Sequence, residues 1–301
     1  MKVKVKVPAT SANMGPGFDS IGVALQLYNT LEVETIEKGF EIVVKKEQEI
    51  TIPTDENNLI YQTIQQFFEK LGKPMPAIRL TQSDDIPMVR GLGSSAACIV
   101  GGLLAANALA GSPYTKDALA KMAAKMEGHP DNSNPAFFGS MVTGVMTEKS
   151  MEYVRLELPE DLLFAIIVPN FPVSTERSRA VLPPHYDRQD VVYNVSRAAL
   201  LVASVLTGKY ENLEVAMDDK IHQPYRKVLI PNMEDIFENA KKCGAVACYL
   251  SGAGSTLMAM VTKKNAEIFR NNMSTYLQTL PNGWQLTLLS ADKEGATVVT
   301  E

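Results

Sequence analysis

Alternation of polar and apolar residues predicts that the chain begins with β-strands. The stretches KVKVKV, TLEVETI and FEIVVKK repeat with a period of two, which places successive side chains on opposite faces of a sheet. After Asn58 the period changes to that of a helix, with apolar residues at Ile60, Ile64, Phe67, Phe68 and Leu71. The apolar run from Cys98 to Ala110 predicts a second, buried helix, because a bilayer span needs about 20 residues.

The remainder of the chain continues this mixture of helices and strands. Thr115 is the predicted N-cap of a helix that ends at Gly128. The run LLFAIIVP, which begins at Leu162, predicts a buried strand, and AVACYL, TLMAMV and QLTLLS predict three more. Helices are expected near residues 191–206, 213–221, 233–242 and 266–277. The sequence therefore predicts an α+β protein.

Two domains are expected, because the length of 301 residues exceeds the usual size of one domain. The polar stretch MTEKSMEYVRLELPED, directly before the strand at Leu162, is the best candidate for a boundary. We therefore expect one domain over residues 1–155 and a second over residues 156–301.

Charge and cysteine content narrow the class of partner. A net charge of −5 and the lack of a dense Lys/Arg run argue against nucleic acid or a membrane as partner, so a small molecule is expected. The three cysteines show no C-x-x-C spacing, so neither a disulfide framework nor a zinc site is expected. The N-terminal KVKVKV lacks the apolar core of a signal peptide, which favours a cytoplasmic protein.

The segment GLGSSAA, directly ahead of the buried helix, is the first candidate for chemistry. Glycine backbones approach a ligand closely, and the first turn of a helix presents unpaired N–H groups with a partial positive charge. Ser94 and Ser95 add hydroxyls that bind phosphate oxygens or magnesium. A phosphate group is therefore the expected ligand, and a plain glycine turn with a serine N-cap is the alternative.

Two common nucleotide motifs do not explain this segment. A P-loop needs a Lys followed by Ser or Thr after its second glycine, and no such Lys occurs. The dinucleotide fingerprint matches in letters at Gly91, Gly93 and Ala96. However, SDDIPMVR before it is a poor strand, and no acidic residue closes a second strand ~20 residues on.

Two further glycine-rich loops support a phosphate site. PATSANMGPGFDSIGVAL follows the first strand and carries Asn13 and Asp19 around a Gly-Pro-Gly bend. SGAGST, residues 251–256, joins two apolar strands. Each loop alone is compatible with a simple turn, but three of them at the ends of strands or helices favour one converged phosphate site.

Charged residues outside these loops complete the candidate site. Glu127 is a candidate magnesium ligand, because a carboxylate near a polyphosphate needs a cation between them. His129 is a candidate base, with helix capping as the alternative. Arg179 and Arg226 suit a substrate carboxylate, with surface salt bridges as the alternative.

The three loops together resemble the motifs of the GHMP kinases, the superfamily named for galacto-, homoserine, mevalonate and phosphomevalonate kinases. PATSANMGPGFDSIGVAL is similar to the first motif, PMVRGLGSSAA to the second and SGAGST to the third, in the same order. EGHPDNSNPAFFG, TERSRAVLP and HQPYRKVLIP resemble the branch of the family that phosphorylates L-homoserine. The resemblance implies an N-terminal domain with a left-handed βαβ unit and a C-terminal ferredoxin-like α/β sandwich. ATP and the substrate would lie in the cleft between them.

The resemblance also implies roles for individual residues. ATP would be bound by Asn58, Pro87, Met88, Val89, Arg90, Gly91, Leu92, Gly93, Ser94, Ser95, Ala96, Ala97, Ser251, Gly252, Ala253 and Gly254. Mg²⁺ would be held by Ser95, or Ser94, and by Glu127. The substrate pocket would consist of Asn13, Asp19, His129, Asn132, Thr175, Arg179 and Arg226. Asp19 suits the ammonium of L-homoserine and the two arginines suit its carboxylate. A homodimer is common in the family.

The expected mechanism does not use a side chain as general base. Relatives that act on mevalonate or galactose usually have an Asp assigned to that role, whereas the matching position here is Asn132, which cannot take a proton at neutral pH. We expect catalysis by positioning and charge stabilisation, with the hydroxyl proton passing to the γ-phosphate.

The sequence departs from the family pattern at two places. Ser255 replaces a Pro that is common in the third motif, and Ser133 and Asn134 replace a common Val and Ala. These changes affect loop stiffness and the pocket wall more than the chemistry. The alternatives are a sibling kinase for mevalonate or a sugar, a non-catalytic nucleotide-binding regulator, and a nicotinamide-binding oxidoreductase.

Overall fold

The computed structural model describes residues 1–46 and 50–301, which form two β-sheets with helices packed against them. The strands are β1 (Lys2–Ala12), β2 (Ile21–Thr35), β3 (Phe40–Val44), β4 (Ile78–Asp84), β5 (Met141–Met146), β6 (Met151–Leu156), β7 (Leu162–Val168), β8 (Ala247–Leu250), β9 (Leu257–Thr262), β10 (Gln285–Ser290) and β11 (Thr297–Thr300). The α-helices are α1 (Leu59–Leu71), α2 (Ser94–Leu109), α3 (Lys116–Glu127), α4 (Ser133–Phe138), α5 (Thr175–Ala180), α6 (Arg188–Thr207), α7 (Leu213–Ala216), α8 (Gln223–Arg226), α9 (Met233–Lys242) and α10 (Ala266–Leu277).

The first sheet contains a βαβ unit, as expected from the sequence. Its main order is β11-β1-β2-β4-β3, and β5 joins it through β2 and carries β6. Strands β3 and β4 are parallel, and α1 connects them. The other strand pairs of this sheet are antiparallel.

The second sheet has the strand order of the ferredoxin-like fold. Its order is β10-β7-β9-β8, and every neighbouring pair is antiparallel. Helices α9 and α10 pack on it and on each other, and they close a second hydrophobic core around Phe269 and Ile236. The α+β class with two structural units is therefore confirmed.

Helix α2 is buried on all sides, which explains its uniformly apolar sequence. Twelve of its 16 residues are buried. Gly101 and Gly102 let neighbouring elements approach closely, since a Cβ there would lie 2.3 Å from Leu31 Cδ2 or 2.9 Å from Thr63 Cβ. The single polar interruption, Asn107, exchanges two hydrogen bonds with the backbone of Tyr114. The helix is therefore a fixed support for the loop that precedes it.

One helix is shorter than the sequence predicted. We expected a helix over residues 213–221, but α7 ends at Ala216. The reason is Asp219, whose carboxylate accepts hydrogen bonds from the backbone N–H groups of Ile221, His222 and Gln223. A side chain that binds the backbone in this way competes with helical hydrogen bonding.

The polar stretch that we expected to be a boundary contains a strand. Strand β6 pairs with β5 in the first sheet, and the chain changes sheet between Leu156 and Leu162. Strand β11 then returns to the first sheet and pairs with β1. The domain limits 1–155 and 156–301 stay a prediction, and this returning strand crosses them.

Candidate functional site

The three glycine-rich loops meet at one cavity of about 680 Å³ between the two sheets. The predicted site residues that line it are Asn13, Asp19, Asn58, Met88, Val89, Arg90, Gly91, Gly93, Ser94, Ser95, Ala96, Glu127, His129, Asn132, Thr175, Arg179, Arg226, Gly252, Ala253 and Gly254. Four others, namely Pro87, Leu92, Ala97 and Ser251, do not line it, and Pro87 borders a second, smaller cavity. Leu92, Ala97 and Ser251 are buried and support the loops from within.

The second loop places the start of α2 at the cavity. Gly91 and Gly93 both have positive φ, 76° and 70°, and α2 begins at Ser94. A Cβ on Gly93 would lie 2.0 Å from Thr10 Oγ1, so only glycine fits. The helix N-terminus, its partial positive charge and the hydroxyls of Ser94 and Ser95 therefore lie together, as a phosphate site requires.

The third loop is hydrogen-bonded to the second. Ser251 Oγ donates to the carbonyl oxygen of Gly91 at 2.6 Å, and Thr256 N donates to that of Arg90 at 3.0 Å. A Cβ on Gly91 would lie 2.3 Å from the carbonyl oxygen of Ser251. Close backbone packing between the two loops thus explains the small residues in both.

The first loop is attached to the third through Asn13. Its Nδ2 donates to the carbonyl oxygen of Gly252 at 3.0 Å, and its Oδ1 accepts from Asp19 N at 3.0 Å. Asn13 and Asp19 both have positive φ, 70° and 55°, which these residue types tolerate better than most. Asn13 therefore shapes the turn, while Asp19 directs its carboxylate into the cavity.

Opposite charges meet at one end of the cavity. Arg179 Nη1 and Nη2 donate to the two carboxylate oxygens of Asp19 at 3.1 and 2.8 Å. Arg226 is only 2% exposed and donates to the carbonyl oxygens of Gly252 and Ser178. Burial, and then the nearby Arg179, lower the pKa of Arg226 to about 10. Because that value is still above neutrality, the cavity wall retains two cations.

Phe18 lies between these cations, and our sequence analysis did not select it. Its ring centroid is 5.6 Å from Arg179 Cζ and 5.2 Å from Arg226 Cζ. Both distances suit a cation–π contact. The only signal in the sequence was an aromatic residue directly after the Gly-Pro-Gly bend.

The loop after α3 adds acidic and polar groups to the cavity. Glu127 Oε2 is buried and has no hydrogen-bond partner within the described residues, and burial raises the pKa of Glu127 to about 8. His129 Nδ1 lies 2.5 Å from Asp131 Oδ1. Burial lowers the pKa of His129, but the hydrogen bond and charge of Asp131 outweigh it and leave the pKa above its usual value. Asp131, which our predicted site omitted, thus lines the cavity beside His129.

Asn132 and Thr175 also line the cavity. Asn132 Oδ1 accepts from Thr10 Oγ1 at 2.8 Å, which holds the amide beside Gly93. Thr175 begins α5, whose N-cap Ser174 accepts a hydrogen bond from Arg177 N. Both residues border the cavity close to the charged end.

The side chain of Asn58 is fully used inside the protein. Its Oδ1 accepts from the N–H groups of Ile60 and Tyr61 as the N-cap of α1. Its Nδ2 donates to the carbonyl oxygen of Pro53 and to Gln82 Oε1. Asn58 lines the cavity as expected, but its four hydrogen-bonding positions are occupied, so it shapes the pocket without reading a base.

Comparisons with known proteins agree with this geometry. The family descriptions "GHMP kinases N terminal domain" and "GHMP kinases C terminal" match residues 58–140 and 200–279. Homoserine kinase of Caldicellulosiruptor bescii is 44% identical over 298 residues, which cover 98% of this chain and 96% of that protein. Homoserine kinase of Petrotoga mobilis is 44% identical over 301 residues, which cover 99% and 97% of the two chains.

A solved structure extends the similarity to three dimensions. The crystal structure of homoserine kinase from Cytophaga hutchinsonii has a TM-score of 0.89 to this chain at 29% sequence identity. The superposition covers 99% of this chain and 97% of the other. The similarity in fold therefore extends over nearly the full length, as the similarity in sequence does.

The hydrogen bond from Ser251 to Gly91, which joins the third loop to the second, gives the first testable prediction. Ser251→Ala removes the hydrogen bond to Gly91, so we expect a loss of about 1–2 kcal/mol in the free energy of unfolding. We also expect about fivefold weaker ATP binding, because the phosphate loop loses its support. Chemical denaturation and isothermal titration calorimetry measure the two effects.

Ser255→Ala is the matched control. Ser255 is equally buried, and its Oγ donates to the carbonyl oxygen of Phe171 at the same 2.6 Å, away from the phosphate loop. A similar stability loss with unchanged ATP affinity is expected for it. Equal losses of ATP affinity in the two variants would contradict a specific role of the Ser251–Gly91 hydrogen bond in ATP binding.

Proposed function

This chain belongs to the homoserine kinases of the GHMP kinase superfamily, and we propose that it phosphorylates the side-chain hydroxyl of L-homoserine with ATP. The product is O-phospho-L-homoserine, and the reaction is a step of threonine biosynthesis. The observation that carries the proposal is a single cavity that joins a phosphate-binding loop to a pocket with one carboxylate and two guanidinium groups.

The charged pocket suits an amino acid. The substrate carboxylate binds Arg179 and Arg226, and its ammonium binds Asp19. Asp19 and Arg179 pair with each other, so a zwitterion replaces this ion pair with contacts from its ammonium to Asp19 and from its carboxylate to the two arginines. A substrate with only one charge would leave one of these groups unpaired, which costs binding free energy.

The opposite part of the cavity suits ATP. Its triphosphate lies along residues 91–97 and against residues 252–254, where backbone N–H groups and the N-terminus of α2 face it. The nucleoside lies toward Asn58 and Met88, which line the other end.

The donor set fits a magnesium ion. Glu127 has a buried oxygen without a hydrogen-bond partner in the described parts of the chain, and the hydroxyls of Ser94 and Ser95 border the same cavity. Oxygen ligands of this kind are the ones Mg²⁺ prefers, together with phosphate oxygens. Glu127 and Ser95, or Ser94, would hold the ion. When bound, it neutralises charge on the phosphates.

The reaction is an in-line transfer. A bond forms between the substrate hydroxyl oxygen and the γ-phosphorus, the bond to the β,γ-bridging oxygen breaks, and ADP leaves. Phosphoryl transfer has a loose transition state, so positioning and charge stabilisation supply most of the acceleration. Asn132 orients the substrate hydroxyl. The proton of that hydroxyl passes to an oxygen of the transferred phosphoryl group.

A sibling kinase for mevalonate or a sugar is the alternative function. A neutral polyol offers no partner for Asp19, Arg179 or Arg226, and mevalonate offers a partner for the arginines alone. The pocket charges therefore favour the amino acid over both.

Measurement of ADP release from ATP and magnesium tests the proposal. L-Homoserine should give saturable release, with phosphate recovered on its side-chain oxygen, and L-serine, L-threonine, mevalonate and galactose serve as comparisons. Release with mevalonate or galactose alone would support the sibling kinase. ATP binding without release for any alcohol would support a regulator and overturn the proposal.

Glu127→Gln tests the magnesium site with a change that keeps the shape of the side chain. We expect the magnesium concentration for half-maximal rate to rise about 10–100-fold, because a charged ligand is lost. Thermal stability without metal should not fall, since burial already favours the uncharged form of Glu127, which Gln matches in shape and charge. Stabilisation by magnesium and ATP should decrease. Asp117→Asn, on the same helix, is the control and should leave the magnesium dependence unchanged.

Asp131→Asn tests the mechanism without a general base. Single-turnover phosphorylation should stay within about tenfold of the wild-type rate, because Asp131 orients His129 and does not take the substrate proton. Rapid-quench measurement with saturating ATP and L-homoserine gives this rate. A loss of several orders of magnitude would show that the Asp131 and His129 pair accepts the proton.

We also propose that the chain works as a cytoplasmic homodimer through α6. This helix exposes an apolar row at Val192, Val195, Ala199 and Leu206, with a spacing typical of helix pairing. By length and composition alone, α6 also fits a membrane span, with mean hydropathy 1.3. The opposite side of α6 packs against the rest of the chain, where Asn194 donates a hydrogen bond to Asp219. A second copy is therefore the occupant we favour.

Val195→Glu tests the dimer. A charge in the middle of the apolar row should convert a dimer into monomers in sedimentation velocity, with little loss of thermal stability because Val195 is 64% exposed. A wild-type chain that sediments as a monomer at all concentrations would contradict the dimer.

A further inference from the structure

A buried histidine lies directly behind the carboxylate-binding arginine. His222 has no exposed surface and precedes α8, the short helix that carries Arg226. It was not among the residues predicted from the sequence, and it has no role in the proposed reaction. Its ring stacks on Phe18, with centroids 5.3 Å apart and planes 26° apart.

The two ring nitrogens of His222 have different partners. Nε2 lies 2.8 Å from the carbonyl oxygen of Gly15, in the first glycine-rich loop. Nδ1 lies 3.3 Å from Arg226 Nη1. A carbonyl oxygen only accepts and a guanidinium only donates, so the hydrogen sits on Nε2 and Nδ1 accepts from Arg226. The neutral ring thus bridges a loop of the first sheet to the arginine.

Asp219 fixes the histidine from the other side. Its carboxylate accepts from the N–H groups of residues 221–223 and from Asn194 Nδ2, which anchors this turn to α6. Asp219 Oδ2 also lies 3.6 Å from His222 Nε2. The imidazole is therefore contacted by the first glycine-rich loop, by Asp219 and by Arg226 of α8.

The arginine is held from behind. In the described part of the chain, the hydrogen bonds of Arg226 use Nε, to Ser178, and Nη1, to Gly252 and His222. This arrangement leaves Nη2 for a ligand in the cavity that Arg226 lines. Without the hydrogen bond from Arg226 Nη1 to His222 Nδ1, rotation of the guanidinium about the Cδ–Nε bond is less restricted.

We propose that His222 is a positioning residue for substrate recognition: as the neutral Nε2–H tautomer, it fixes Arg226 for the substrate carboxylate and ties it to the loop of Phe18 and Asp19. This inference rests on the proposed function, in which Arg226 binds the carboxylate of L-homoserine. The role is specific to the acceptor substrate, because Arg226 is the cavity-lining residue that His222 contacts, and the hydrogen bond from Arg226 to Gly252 does not involve the imidazole.

The surroundings of His222 favour its neutral form. Burial lowers the pKa of His222, and the charge of Arg226 lowers it further, while Asp219, the carbonyl of Gly15 and Asp19 act in the opposite direction. Protonation would place an N–H group against the N–H of Arg226. The contact with Arg226 therefore exists only while the ring is neutral.

Two conservative variants separate the two ring contacts. His222→Gln keeps a donor at the position of Nε2 and removes the acceptor for Arg226, whereas the Oδ1 of His222→Asn replaces Nδ1 as acceptor. His222→Gln should raise KM for L-homoserine about 10–100-fold, the effect of one hydrogen bond to a charged group, with KM for ATP unchanged. His222→Asn should retain most of the affinity. His185→Gln, at an exposed histidine, is the control.

A substrate analogue distinguishes positioning from general damage to the fold. The amino alcohol 2-amino-1,4-butanediol lacks the carboxylate, so His222→Gln should not worsen its already weak use. An equal loss for the analogue and for L-homoserine, or an unchanged KM for L-homoserine, would overturn the inference. Inactivity of the wild-type chain toward L-homoserine would instead overturn the proposed function.

A measurement on the wild-type chain keeps the inference testable if a variant fails to fold. The chain has three histidines, so nitrogen-15 NMR resolves their ring signals. One buried, neutral ring with its hydrogen on Nε2 is expected throughout the pH range of activity. A His222 ring that is protonated, or that carries its hydrogen on Nδ1, would contradict the inference.

Discussion

The carbonyl oxygen of Gly252 joins the acceptor pocket to the phosphate pocket, and the rest of the site depends on this connection. It accepts from Asn13 Nδ2 and from Arg226 Nη1, while the N–H of the same residue donates to Ala12. The neighbouring Ser251 holds the phosphate loop through Gly91. One short loop between β8 and β9 therefore sets the distance between the acceptor pocket and the phosphate pocket. Because buried hydrogen bonds set this distance, the two pockets are held in fixed positions for the two reactants.

The two ends of the cavity treat charge in opposite ways. At the acceptor end, Asp19 and Arg179 neutralise each other, so this pair adds little net charge to the pocket. At the phosphate end, Glu127 keeps a buried oxygen that no described residue satisfies. The first arrangement selects a ligand that replaces both partners, and the second favours a cation. Selectivity for the acceptor therefore comes from the Asp19–Arg179 pair, and affinity for a metal ion comes from Glu127.

Local patterns in the sequence predicted most of the fold and the convergence of the three glycine-rich loops. Helix α2 was evident because its residues are apolar on every side, and the three loops were evident because close backbone packing requires glycine and serine. Strands β4, β5 and β6 were not predicted, since their residues are mixed in polarity. The same limit applies to His222 and Phe18, whose importance comes from partners that only the folded chain brings together. Asn58 shows the converse case, because a local capping role accounts for a position that the family resemblance assigned to the nucleotide.

Strand β11 gives the chain a particular order of assembly. Residues 297–300 pair with residues 3–6, so the first sheet receives this edge strand from a segment that is synthesised long after β1. Until then β1 presents an open edge on the ribosome, where it is exposed to pairing with other nascent chains. The lysines at positions 2, 4 and 6 alternate along this edge with the valines of the core, and their charges oppose such pairing. The KVKVKV pattern therefore serves co-translational folding as well as the finished sheet.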